Sequence, residues 1–189
     1  MPGRHVQFAQ GCYYHLYNRG ANRNTIFTCN DDYWDFLNRL RTNAVRYAAP
    51  VIAYCLMPNH FHLLVRQESD KCAGLMVQCT CNGYAQAFNR RRQHSGTLFQ
   101  GRYQSILVNN DEYLRHLCRY IHTNPVKDGF ALQPELWPYS NYATWISQCS
   151  DQEIDRSFLQ EFFGSSERYR SFVADWTERK RIPTGKEPH

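Results

Sequence analysis

The chain has 189 residues, 42% of them hydrophobic and 21% charged, with a formal net charge of +5. That length suits one domain with an appended element and a core that needs no disulfide staples, and no apolar run approaches the ~18 residues of a membrane span. Eight cysteines without Cys-x-x-Cys spacing exclude a zinc ribbon. The segment Met1–Gln7 lacks the apolar core of a secretory signal, so a soluble cytoplasmic protein with free thiols is expected.

Residues 12–18 are aromatic-rich and predict a strand, closed by the turn chemistry of Arg19-Gly20-Ala21-Asn22. Asn30-Asp31-Asp32 supplies a cap and first-turn acids, after which Tyr33, Phe36, Leu37, Leu40, Ala44 and Val45 recur at helical spacing toward Pro50. Two apolar runs, 51–57 and 60–66, flank Pro58-Asn59 and predict a hairpin. A second helix is expected over 73–92, with Leu75, Met76, Cys79, Gly83, Ala87 and Phe88 as its packed side. A strand over 102–108 leads to a third helix, capped at Asn109-Asn110 and expected to end near Asn124 because Pro125 follows. The order β-α-β-β-α-β, then helix, predicts an α+β, ferredoxin-like fold in which two helices cover one face of a mostly antiparallel sheet. Two more helices are expected at 155–163 and 165–176. The chain divides into a core (1–145), a helical appendage (146–178) and a mobile basic tail (179–189).

The hairpin's second strand opens with His60-Phe61-His62. Side chains alternate along a strand, so both imidazoles share a face while Phe61 points to the other, and two adjacent imidazoles are half of a metal site. A third, oxygen-bearing ligand is sought on the third helix, where Tyr120 and Asn124, four residues apart, project together. No other tyrosine in a predicted helix has a ligand-type residue at that spacing. The plainer alternative is a core tyrosine and a helix-terminal asparagine.

All the excess charge lies in one block: residues 71–110 contain five basic and no acidic groups, while the rest of the chain balances 17 against 17. Arg90, Arg91, Arg92 and Arg102, interleaved with Tyr84, Phe88, Phe99 and Tyr103, form a candidate nucleic-acid surface. A solvated helix with inward-facing rings is the competing reading.

Three stretches carry a family resemblance: Met57-Pro58-Asn59-His60-Phe61-His62, Phe99-Gln100-Gly101-Arg102-Tyr103, and Arg119-Tyr120-Ile121-His122-Thr123-Asn124-Pro125. With Tyr14–Gly20 and Asn22–Phe27, they make residues 12–145 similar to the single-tyrosine HUH transposases and, more narrowly, to the REP-associated tyrosine transposases. The resemblance implies a ferredoxin-like core with the histidine motif on a central strand. It also implies Mg²⁺ or Mn²⁺ held by His60, His62 and Asn124, and Tyr120 attacking a single-stranded or hairpin DNA phosphate to form a 5′-phosphotyrosine. Related insertion-sequence transposases commonly place glutamine where this chain has Asn124. Two other classes stay open from the residues: a non-catalytic nucleic-acid-binding regulator and a metal-dependent phosphohydrolase. The absence of a phosphate-cradling Gly-rich loop counts against nucleotide hydrolysis. Oligomeric state, monomer or homodimer, is not encoded in any of these motifs.

Overall fold

Alternating residues sort each strand onto two faces, and both faces are buried, which requires cover on each side. The computed structural model describes residues 6–147 and 155–181 and builds these strands into one four-stranded sheet. The strands are β1 (Tyr13–Arg19), β2 (Val51–Met57), β3 (His60–Arg66) and β4 (Gln104–Val108), in the order β2-β3-β1-β4 with every pairing antiparallel. This is the ferredoxin-like arrangement, and β3 is an interior strand. Two helices, α1 (Asn30–Arg46) and α2 (Ala73–Arg92), cover one face, packing on Tyr14, Leu16, Leu56, Phe61, Leu63 and Val65.

The other face receives α3 (Asp111–Lys127) and, outside it, α4 (Tyr142–Ile146), α5 (Arg156–Phe163) and α6 (Ser166–Arg181). Ile52, Ala53, Cys55, Met57 and Leu64 meet Leu114, Leu117, Cys118 and Ile121 there, with Trp145, Phe158 and Tyr169 behind. Burying these large rings contributes roughly 1.5–3 kcal/mol per side chain. Arg66 at the end of β3 pairs with Asp155 at 2.8 Å, and Asp155 also caps α5 by accepting the Phe158 N–H. The C-terminal helices are therefore docked on the sheet as well as on α3.

Four local expectations need correction. The packed side of α2 is Met76, Val77, Thr80, Cys81, Tyr84 and Phe88, whereas Leu75 is exposed and Cys79 only half-buried. Polar groups masked that face: the Thr80 hydroxyl donates to the Met76 carbonyl, and the Tyr84 hydroxyl donates to the Ile26 carbonyl. The third helix does not stop at Asn124 but runs through Pro125 to Lys127. Proline there removes a single N–H from the last turn, and its own carbonyl accepts the Phe130 and Ala131 N–H groups of the exit turn. The fourth strand begins at Gln104 rather than residue 102. The basic tail expected over 179–189 overlaps the end of α6, and residues 182–189 lie outside the described residues. Seven cysteines are free thiols among the described residues, and Cys149 lies outside them.

Candidate catalytic groove

Asn110 starts α3 by accepting the Tyr113 N–H at 2.7 Å, with Asp111 and Glu112 complementing the helix dipole. The helix crosses the face of the sheet onto which β3 projects His60 and His62. Because the helix passes through Pro125, Asn124 lies within its last turn, on the side that also carries Tyr120. Tyr120 stands with its ring 5.2 Å from His62, edge to face, and 38% exposed. A groove of about 740 Å³ runs between helix and sheet, lined by His60, His62, Tyr120 and Asn124 among others. The four residues picked out by spacing thus meet, and all belong to one chain.

Hydrogen bonds determine which ring nitrogens are free. The Asn59 amide is anchored by donating Nδ2–H to the Arg23 carbonyl, so its Oδ1 accepts from His60 Nδ1–H at 2.7 Å. That leaves His60 Nε2 as a bare lone pair, and it faces Asn124 Oδ1, another acceptor, at 3.3 Å. Burial lowers the His60 pKa from 6.5, and lowers that of His62 well below it, so both rings are neutral near pH 7. Two lone pairs pointed at each other repel unless a cation lies between them. Turning the Asn124 amide over would satisfy Nε2 but leave the oxygen without a donor; as it stands, its Nδ2 is the buried group without a partner. The donor set of two neutral imidazoles and an amide oxygen fits a divalent ion. Among the described residues, no group of three His, Cys, Asp or Glu side chains offers an alternative.

The hairpin turn is itself pinned. Ile26 and Phe27 donate to the Pro58 carbonyl, and Gly20 donates to the Asn59 carbonyl. Gly20 lets the Asn24 carbonyl close against it, since a Cβ there would sit 2.0 Å from the Asn24 carbonyl oxygen.

The basic block is arranged differently from the expectation. Arg91 pairs with Asp32 and Asp35, and Arg92 with Asp32, which ties α2 to α1. These guanidinium groups, with the Thr28 N–H and hydroxyl, outweigh burial and hold the Asp32 carboxyl below its usual range. Arg90 is exposed at the end of α2, and Arg102 lies over the ring of Tyr103. Tyr84, Phe88, Phe99 and Tyr103 are buried in the core between helices and sheet, so the rings of the block face inward. Arg90, Arg91, Arg92, Arg102 and Tyr103 are all absent from the groove lining. The cations that do line it are Arg19, Arg23 and Lys127, the last placing Nζ 5.3 Å from the Tyr120 ring centroid. Sequence reasoning also missed His15, whose Nε2 lies 2.9 Å from His62 Nδ1. Its outward parity on β1 was readable; its partner depended on strand register.

The fold and the groove together define a class, the ferredoxin-like proteins that set a strand-borne histidine pair against a helical tyrosine. A family model described as transposase IS200 like matches residues 8–124, and the chain belongs to that family. It is 29% identical over 124 residues to a Haemophilus influenzae protein named as a REP-associated tyrosine transposase, covering 57% of this chain and 69% of that one. A solved REP-associated tyrosine transposase bound to a REP hairpin superposes with a TM-score of 0.66 at 19% identity, over 78% of this chain and 87% of that structure.

Proposed function

We propose that this protein is a metal-dependent single-stranded DNA endonuclease and strand transferase that acts on hairpins of palindromic repeats through a 5′-phosphotyrosine intermediate. The observation that carries this reading is the facing pair of acceptors, His60 Nε2 and Asn124 Oδ1, 3.3 Å apart and one helical turn from Tyr120. Membership of the IS200-like family and the hairpin bound by its structural relative support it.

His60 Nε2, His62 Nε2 and Asn124 Oδ1 are the groups that would hold Mg²⁺ or Mn²⁺. Such an ion supplies Lewis acidity to a phosphate oxygen, drawing charge off phosphorus. The Tyr120 hydroxyl, exposed in the groove, attacks phosphorus in line. The new Tyr–O–P bond forms as the bond to the 3′ oxygen breaks; the phenol proton passes to solvent and the leaving oxygen takes one up. The phosphodiester energy is kept, so a free 3′-hydroxyl can reverse the step and join strands. Arg19, Arg23 and Lys127 supply positive charge along the groove for the DNA backbone. Tyr120 stands beside His62 of its own chain, which supports cleavage within one subunit.

The test uses hairpin oligonucleotides with randomised single-stranded flanks, incubated with MnCl₂ and resolved on a denaturing gel, with sequencing of the DNA left on the protein. Wild type is expected to form an adduct. Tyr120→Phe is expected to bind the same DNA without one, and an adduct in that variant sinks the assignment. Hairpin binding without an adduct in wild type would instead mark a non-catalytic regulator, and water-driven turnover without trapped DNA a phosphohydrolase.

A further inference from the structure

The buried contact between His15 and His62 is unused by the chemistry above, yet His62 is a candidate ion ligand. His15 Nε2 and His62 Nδ1 are 2.9 Å apart, so exactly one proton sits between them, while His15 Nδ1 is buried without any partner. We propose that His15 is a positioning residue: on ion binding its Nε2 accepts the His62 Nδ1–H and so stabilises the tautomer of His62 whose Nε2 is bare toward the groove. This rests on the metal reading of the preceding subsection.

Two neutral arrangements satisfy the contact. In the first, His15 donates Nε2–H to His62 Nδ1; His62 then carries its proton on Nε2 and cannot ligate there. In the second, His62 donates Nδ1–H to His15 Nε2, His62 Nε2 is free, and the His15 proton is on the partnerless Nδ1. Both hold one N–H per ring, so conversion moves each proton from Nε2 to Nδ1 with none gained or lost. A buried N–H without an acceptor is found more rarely than an under-satisfied acceptor, which favours the first arrangement when no ion is bound. Ion binding selects the second. His60 needs no such change, because Asn59 already fixes its Nδ1–H. The two histidines of the motif are therefore oriented by different means, one by an amide in the hairpin turn and the other by a neighbouring strand.

The first measurement is long-range ¹⁵N–¹H correlation of the imidazoles, with and without saturating MgCl₂. His62 and His15 are expected to change from Nε2–H to Nδ1–H on adding Mg²⁺ while His60 keeps Nδ1–H; His62 found as Nε2–H with Mg²⁺ bound overturns the proposal. The second is Mn²⁺ affinity in the absence of DNA, read by electron paramagnetic resonance. His15→Leu is expected to weaken it about 10–100-fold, and His15→Gln, whose Oε1 can accept the same N–H, to recover most of the loss. Wild-type affinity in His15→Leu, or a Gln variant as weak as Leu, reduces His15 to packing. His60→Ala separates the two levels: if it binds Mn²⁺ like wild type the ion site itself is wrong, and if it loses binding while His15→Leu does not, only the role of His15 falls.

Discussion

At the scale of the residue, the groove depends on which atoms are left without a proton. Asn59 shows this most directly, since it neither touches the groove's tyrosine nor offers a ligand, yet it fixes the His60 tautomer through one 2.7 Å hydrogen bond. Asn59→Ala is expected to reduce Mn²⁺-dependent cleavage of a hairpin oligonucleotide roughly 10–100-fold, as loss of an outer partner to a ligating histidine does elsewhere, with DNA binding retained in a gel shift. His60→Ala should abolish Mn²⁺-dependent cutting outright; cleavage at the wild-type rate would reject His60 as a ligand. The His60-Phe61-His62 alternation and the Tyr120–Asn124 spacing were legible in the sequence because both follow from fixed periods, two residues per strand repeat and about 3.6 per helical turn. His15 was not legible in the same way. Its contact with His62 depends on the β1–β3 register, which pairs Tyr17 with His62 and His15 with Leu64, and register is a property of two strands together.

At the scale of the element, α3 is held by a buried polar clasp. The Asn141 amide donates to the Ile52 carbonyl and accepts the Tyr54 N–H, so His122 must donate its Nε2–H to Asn141 Oδ1 and accept the Tyr169 hydroxyl at Nδ1, 2.6 Å away. His122 lies two residues from both Tyr120 and Asn124, and Arg119 stacks over Phe172 of α6, so the C-terminal helices set where the functional side of α3 rests. Tyr169→Phe leaves His122 Nδ1 unsatisfied and is expected to lower stability by about 1–3 kcal/mol in urea unfolding. Burial holds His122 at a pKa of about 4 against an ordinary 6.5. The unfolded chain therefore binds the extra proton first, and the stability this group contributes above pH 6.5 is lost as pH falls toward 4, a loss on the order of 3 kcal/mol. Urea midpoints measured from pH 7.5 to 4.5 should fall in that window, and fall less in His122→Gln. Helix 3 ran past its expected end for a related reason: a proline in the last turn forfeits one hydrogen bond, and the tertiary contacts around His122 outweigh it. Local rules see the proline but not the clasp.

At the scale of the whole molecule, charge lies elsewhere than its distribution along the chain suggested. The acid-free block gives two of its four arginines to α1: Arg91 and Arg92 reach across to Asp32 and Asp35, residues almost sixty positions earlier. A count along the sequence cannot register such a pairing, which forms only when two helices lie side by side. The cations of the groove, Arg19, Arg23 and Lys127, come from segments whose net charge looked unremarkable. Hairpin affinity measured against salt is therefore expected to lose about one unit of log–log slope in Arg23→Ala or Lys127→Ala. Arg91→Ala should leave that slope unchanged. Among the described residues no helix is long and apolar enough to cross a membrane, which agrees with the sequence reading.

The two faces of β3 give the fold a form of quality control. Phe61, Leu63 and Val65 fill the core beneath α1 and α2, while His60 and His62 look toward α3. Sliding the strand by one residue would push both imidazoles into the apolar core and bring Phe61 out into the groove, so the slipped chain loses its packing together with its histidine pair. Cells that clear unfolded chains by proteolysis would remove such molecules as well. A chain with its histidines on the wrong side of an otherwise finished sheet is in this way kept from persisting.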